Sequence, residues 1–438
     1  MIEGRKTDVN TAIRARQPSE TATKSSKIAF HVGVFLIALL ILFSRRPDAI
    51  LNAQFYAEDG TFWYADAYNH SWRCLFMAEA GYLHTVPRLV ALFSVIFPLA
   101  LAPLVMNLVA FFFQILPINL FLSSRFNSIS LNIRVLAGFL YLAVPNSFEI
   151  HANATNIQWH LALLACMVIL ASSPHSIAWK VFDFTILTLA SVDSPLGIPL
   201  IALVAASWWM RREKHAGLQL LALVPGTMIE IIFLLFSQTR RAAPNGANLT
   251  RLGSILGGQV FMSSILGVRT LMKFHYGHVR FLLFAELCAA LVGLAIIIYA
   301  LLFAPRELKL FVLFSASVLA MALHHPLATM EPAPGQWELL RIPGFGNRYY
   351  FFPMLAFFAC LIWMVTNTRS TARFARYAAI IILLLSPIGV LRDWKYKPFV
   401  DFDFPKYVAM FERAEPGTRI VIPTNPIWTT WTMELVKR

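Results

Sequence analysis

The sequence predicts an all-α polytopic membrane protein of about 11 transmembrane helices, with interfacial helices in the first outer loop and a small outer C-terminal α/β appendage. Two observations carry that prediction. Of 438 residues, 58% are hydrophobic and only 14% are charged, with a mean hydropathy of +0.63. Several apolar runs also approach the ~20 residues that cross a bilayer.

Residues 1–27 are polar and carry Arg5, Lys6, Arg14, Arg16 and Lys24, the composition of a disordered cytoplasmic tail. His31 to Phe43 lies too far in and lacks a small-residue cleavage site, so it reads as an anchor. Twelve apolar runs follow, near 28–44, 86–101, 103–122, 134–146, 158–172, 177–192, 194–210, 217–236, 280–304, 309–325, 348–367 and 376–391. If all twelve crossed, the clusters Arg125/Arg134, Lys180, Arg211/Arg212/Lys214, Arg306/Lys309 and Arg369/Arg373/Arg376 would fall outside, against the positive-inside bias. The run 86–101 is short, holds Pro87, Pro98 and Arg88, and reads as interfacial. Its removal puts the clusters in the cytoplasm. The N-terminus is then inside, and the segments 45–102, 147–157, 237–279, 326–347 and 392–438 face outward.

The transmembrane domain is thus expected over 28–391 and the outer segment over 392–438, where TRIVIPTNP and WTMELVK read as two pairing strands. The net charge of +14 follows from basic residues at helix ends, where they orient the chain or meet anionic lipid. It does not imply a nucleic-acid partner. The four cysteines are scattered with no CxxC spacing, which indicates neither a zinc site nor a disulfide framework. No repeat of 20–50 residues is visible.

The candidate chemistry lies in the outward segments. FYAEDGTFWYAD carries Glu58 and Asp59 beside an aromatic stretch with Trp63, and GYLHTVPRL adds Tyr82, His84 and Arg88. Carboxylates accept hydroxyl protons and aromatic faces stack on sugars; the bland alternative is a helix cap and an interfacial aromatic belt. GFGNRYYFFP puts Arg348, flanked by Tyr349 and Tyr350, where a membrane helix begins. A guanidinium there holds a phosphate or snorkels to the interface. VPNSFEIHANATNIQWH crowds Glu149, Asn153, Asn156 and Trp159 into one link, as a polar wall for a sugar acceptor or as a solvated loop. Residues 250–279 read as an amphipathic helix pair in which Arg269, Lys273, His275 and His278 meet anionic lipid phosphate. Asp183, Glu230 and Glu286 are ionisable groups within apolar runs, open to a proton-path role or, for Asp183, to a local pair with Lys180. His324–His325 has no third ligand at fixed spacing.

On YAEDGTFW, GYLHTVPRL, VPNSFEIHANATNIQW, GNRYYFFP and NPIWTTWTMEL the chain resembles the GT-C-type integral membrane glycosyltransferases. It is similar in particular to bacterial enzymes that modify O-antigen or other surface polysaccharides from polyprenyl-phosphate sugars. The resemblance implies the inner membrane of a bacterium, a polyprenyl-phosphate sugar donor, a glycan acceptor, and partner proteins that make and flip the donor. It also implies an inverting transfer with Glu58 or Asp59, Asp59 slightly preferred, as catalytic base. Arg348, with Tyr349, Arg269 and Lys273, would bind the lipid phosphate, and Trp63, Tyr82, His84, Arg88, Glu149, Asn153, Asn156 and Trp159 the sugars. Some relatives use a divalent metal at the acidic motif; the loop here lacks a second DxD-like acid, so no cofactor is assigned. Two other functions fit the same layout: a transporter or flippase of a lipid-linked glycan, and a glycan ligase or polymerase.

Overall fold

The computed structural model describes residues 20–438 other than 213–214, 237–242, 278, 330, 332, 368–372 and 427–430. Most of the N-terminal tail, Lys214, Arg240, Arg241, His278 and Arg369 lie outside the described residues.

All twelve apolar runs form helix. Seven helical stretches are long and apolar enough to cross a bilayer: Ser26–Arg45, Leu99–Phe121, Ala216–Phe236, Phe281–Phe303, Arg306–His324, Asn347–Thr366 and Arg373–Arg392. The chain is therefore a multi-pass helical membrane protein. Four further helices expected to cross, Leu131–Leu142, Ile157–Leu170, Ile177–Ser191 and Gly197–Arg211, run only 12 to 15 residues. At 1.5 Å per residue such a helix covers roughly 20 Å of a ~30 Å hydrocarbon core. Ile157–Leu170 is buried at every residue except Met167, so protein rather than lipid surrounds it.

The first and last long helices end together. The Arg45 guanidinium, fully buried, donates to the carbonyls of Leu142 and Val144 and to those of Asp393 and Trp394. A cation tied to four carbonyls joins the end of helix Glu20–Arg45, the link after Leu131–Leu142 and the chain leaving Arg373–Arg392. The first loop and the C-terminal segment thus emerge at the same end of the bundle. Thr85–Ser94 stays there: Asn107, at the start of the next long helix, donates to the Ala49 carbonyl at 2.9 Å, and the Val86 N–H reaches Asp193, just past helix Ile177–Ser191, at 2.8 Å.

Three expectations change on contact with the fold. Asp183 pairs with Arg125 and lies 3.8 Å from His215, so its partner is across the bundle end rather than Lys180. Residues 255–262 do not lie on a surface. They form a buried π-helical segment against Val279–Phe303, because Gly257 and Gly258 let its backbone close on Glu286, and Phe261 meets Phe357 of the Asn347–Thr366 stretch at 5.0 Å. Only Val268–Gly277 has the amphipathic, half-exposed character expected of the whole stretch. Glu230 and Glu286 each accept a local donor, the Leu83 N–H at 3.1 Å and the Ser254 hydroxyl.

The C-terminal strands β1 (Arg419–Pro423) and β2 (Thr432–Val436) pair antiparallel with Ile422 opposite Met433. Alternation buries Ile420, Ile422, Met433 and Leu435 on one face. The hairpin and helix Phe404–Arg413 rest on the first loop: Phe404 meets Phe55 at 5.7 Å, Phe411 meets Tyr68 at 5.5 Å, and Asn69 bonds Glu434 and Val436.

Candidate functional site

The link 143–156 governs the site. Apart from half-buried Phe148 and Glu149 it is buried throughout, deep enough that Gln114, in the middle of Leu99–Phe121, reaches the backbone of Ile150 and Ala152. Irregular backbone at such depth must find internal hydrogen bonds. That need explains its polar residues. Asn153 donates to the carbonyls of Glu149 and His151 and accepts from the Asn156 N–H and side chain at 3.0 and 2.9 Å. Asn156 also donates to the Glu149 carbonyl. The two buried asparagines brace the loop.

Glu58 and Asp59 open a π-helical turn, Asp59–Tyr64, without capping it by either side chain. Asp59 is buried. One of its carboxylate oxygens accepts the Ala154 N–H at 2.9 Å, the other the Thr155 N–H and hydroxyl, both at 2.7 Å. Burial pushes its pKa up to about 7 against the pull of these donors. Glu58 differs: it is half-buried, and among the described residues its carboxylate meets its own backbone N–H but no side-chain bond or ion pair. Burial raises its pKa, and the positive charge of Arg348 draws it partly back. The preference for Asp59 as base therefore loses its geometric footing: both its oxygens are committed.

Arg348 enters from the start of helix Phe351–Thr366. It forms an ion pair with Glu149, donates to the Leu327 carbonyl at 3.1 Å and to the Tyr349 hydroxyl at 3.2 Å, and lies 4.8 Å over the Tyr349 ring. Tyr349 in turn accepts the Leu327 N–H at 3.0 Å. Trp159 packs edge-on to Tyr349, with its buried indole N–H unpartnered. Tyr82 shares a 3.4 Å contact with Gln158 and feels both Arg348 and Asp193. One patch thus holds Glu58, Arg348, Glu149, Tyr82, Tyr349 and Trp159.

Other expected ligands are interior. Trp63 is fully buried and donates to the Thr155 hydroxyl at 2.9 Å. Arg88 is buried over Trp63 at 4.7 Å and bonds Asp66 at 2.8 Å. His84, in left-handed backbone at φ 53°, stacks on Tyr82 at 3.8 Å, with the Glu79 backbone acting on its ring. Burial and the Arg88 charge hold its pKa down to about 3, so it is neutral. Asp193, which anchors the Val86 N–H, is pushed up to about 7 by burial. Arg269 and Lys273 do not join Arg348. Arg269 donates to the Lys395 carbonyl, and Lys273 is exposed one turn on.

Among the described residues no three His, Cys, Asp or Glu side chains converge as a metal set. Three donors already occupy Asp59, so the acidic pair has little left to offer a divalent ion.

The sequence reading passed over Arg45 and Arg46. An Arg pair closing the first apolar run, at the end the sequence reading expects to face outward, was the available signal. No protein-family model, curated protein or solved structure matches the chain.

Proposed function

We propose that the chain is a glycosyltransferase of the GT-C type that moves a sugar from a polyprenyl-phosphate donor to a hydroxyl of a lipid-linked or surface glycan. The observation that carries this reading is Glu58: a half-buried carboxylate with no ion pair among the described residues, within reach of the charge of Arg348, at the end of the bundle where the first loop and the tail emerge. Glu58 removes the acceptor hydroxyl proton as the oxygen attacks the anomeric carbon. The carbon–oxygen bond to phosphate breaks, its electron pair leaving with the polyprenyl phosphate, and attack opposite the leaving group inverts the centre. Arg348 lies near enough to Glu58 to offset negative charge as it develops on the leaving phosphate. Tyr82, Tyr349 and Trp159 form the aromatic wall against which sugar rings rest.

In this reading the four shorter helices cross as well, giving eleven crossings, with the N-terminus cytoplasmic and the site on the outer face of a bacterial inner membrane. A cytosolic nucleotide sugar is then no donor. The acids within the helices each have a local partner, which weakens the motive for a transporter or flippase.

Mass spectrometry of the surface glycan with and without the protein tests the class of reaction. One sugar missing from each unit supports transfer. Unchanged composition with less exported polymer points to transport, and loss of whole chains to a ligase or polymerase.

A further inference from the structure

Glu58 follows a residue whose backbone shape an alanine rarely takes. Ala57 is buried and left-handed, at φ 45°. The Cβ crowds a carbonyl oxygen there, so an alanine keeps this shape only where its surroundings over-determine it. Those surroundings belong to the C-terminal segment. Tyr56 and Asn425 form a parallel bridge: the Asn425 N–H donates to the Phe55 carbonyl at 3.1 Å, and the Ala57 N–H donates to the Asn425 carbonyl. Directly after the bridge, the Asp59 N–H returns to the Tyr56 carbonyl at 2.9 Å, and Glu58 has ordinary helical backbone at φ −61° and ψ −22°. Ala57 is therefore the joint between a strand-like bridge and the helical turn Asp59–Tyr64. Its left-handed shape points one N–H at the tail while the next residue already starts the turn.

The tail is seated on this joint at several points. The buried Asn425 side chain holds both backbone groups of Val400, and Phe399 stacks on the Tyr56 ring at 5.8 Å. The N–H groups of Phe399 and Phe402 end on Asp48 at 2.7 Å and on Gln54 at 3.3 Å. Gly60 lets the turn come down on the tail: a Cβ there would lie 2.8 Å from the side chains of Thr424 and Phe55. A glycine at 57 would keep φ 45° unaided, whereas alanine keeps it only with the tail docked. We propose that Ala57 couples the C-terminal segment to Glu58: Asn425 is a positioning residue that keeps Ala57 left-handed, and undocking of the tail turns Glu58 away from Arg348. With the tail away, Ala57 relaxes to the ordinary negative φ, a rotation of about 100° one residue before Glu58. That Glu58 is a base rests on the proposed transferase; its coupling to the tail does not. On the transferase reading, sugar transfer runs only with the tail docked.

The test is carbodiimide labelling of Glu58 in the purified full chain in detergent, followed across pH by peptide mass spectrometry. It compares the natural chain with N425A and with N425A/A57G. The reagent takes the protonated carboxyl, so the profile reports both access and proton affinity. Burial is the main cause that raises the Glu58 pKa. N425A is therefore expected to move the midpoint down towards the ordinary 4.5 and to raise the plateau rate at least about threefold. N425A/A57G is expected to bring the rate back to within about twofold of the natural chain, and the midpoint with it, because glycine keeps the left-handed joint without the clasp. General loosening of the loop would be worsened by glycine rather than cured. An unchanged Glu58 profile in N425A, or a change that A57G fails to reverse, overturns the coupling. Transfer assays separate this from the reaction: N425A should slow transfer at least about tenfold and A57G restore it. Labelling that follows the expected pattern while transfer does not would support the coupling and count against Glu58 as the base.

Discussion

Thr155 gives Asp59 both its amide N–H and its hydroxyl, each at 2.7 Å, while Ala154 adds a third donor at 2.9 Å. A carboxylate in the first loop therefore closes off the buried link 143–156, and the neighbouring carboxylate of Glu58 is left open. The pair divides into an anchor and, in the proposed function, a base.

Asp59→Ala strands two buried N–H groups and a hydroxyl, and should cost about 2–5 kcal/mol of stability. Asp59→Asn turns one acceptor into a donor facing the Ala154 N–H and should cost part of that. The pH dependence has a definite sign. The folded pKa of about 7 lies above the ordinary 3.8, so the folded state holds the proton more tightly. The stabilisation linked to that proton is full below 3.8 and is lost as pH rises towards about 7. Melting curves across this range, compared with Asp59→Asn, check it: the variant should lack that slope.

Arg348 and Glu149 should act as a coupled pair. Removing either leaves a half-buried partner charge, and a double-mutant cycle with R348Q and E149Q should give a coupling of about 0.5–3 kcal/mol in unfolding free energy. Arg348→Lys should recover little, because an ammonium cannot serve Glu149, the Leu327 carbonyl and Tyr349 in the fork geometry of a guanidinium.

Asn425 clasps the tail to the acidic loop. Its side chain accepts the Val400 N–H at 2.8 Å and donates to the Val400 carbonyl at 3.1 Å, while its backbone pairs with Phe55 and Ala57. Asn425→Ala should cost about 1–3 kcal/mol. Limited proteolysis should then cut the 52–84 region faster, with the helices of the bundle still protected.

Reporter fusions address orientation. Cytoplasmic activity is expected after Arg212 and outer-face activity after Leu391. The reverse pattern would place Glu58 and Arg348 in the cytoplasm and remove the lipid-linked donor from consideration.

The long helices were legible because apolar composition over twenty or so residues is a local property; all seven long helices match runs read from the sequence. The hairpin of the tail was legible from β-branched residues closed by prolines. What each polar residue does was not. Asn153, Asn156, Trp63 and Arg88 look like ligands in sequence because polar and aromatic residues in a loop suit sugar. They prove to be buried: Trp63 bonds Thr155 of a distant segment, whereas Asn153 and Asn156 bond Glu149, His151 and each other within their own loop, and Arg88 bonds Asp66 within the first. A buried loop needs the same residue types as a binding wall. Neither does the sequence show that Asp59 is saturated and Glu58 free, since adjacent residues on a helical turn point in different directions.

The most direct test is sugar transfer by the purified chain from a labelled polyprenyl-phosphate sugar, with Glu58→Gln, Glu58→Asp and the natural residue compared across pH. If Glu58 is the base, Glu58→Gln lowers the rate by about 10²–10⁴ with melting unchanged. The natural enzyme's activity should then fall on the acid side through a pKa above the ordinary 4.5 of a glutamate. Undiminished transfer by Glu58→Gln, or label that never leaves the lipid in the presence of the natural chain, would contradict it.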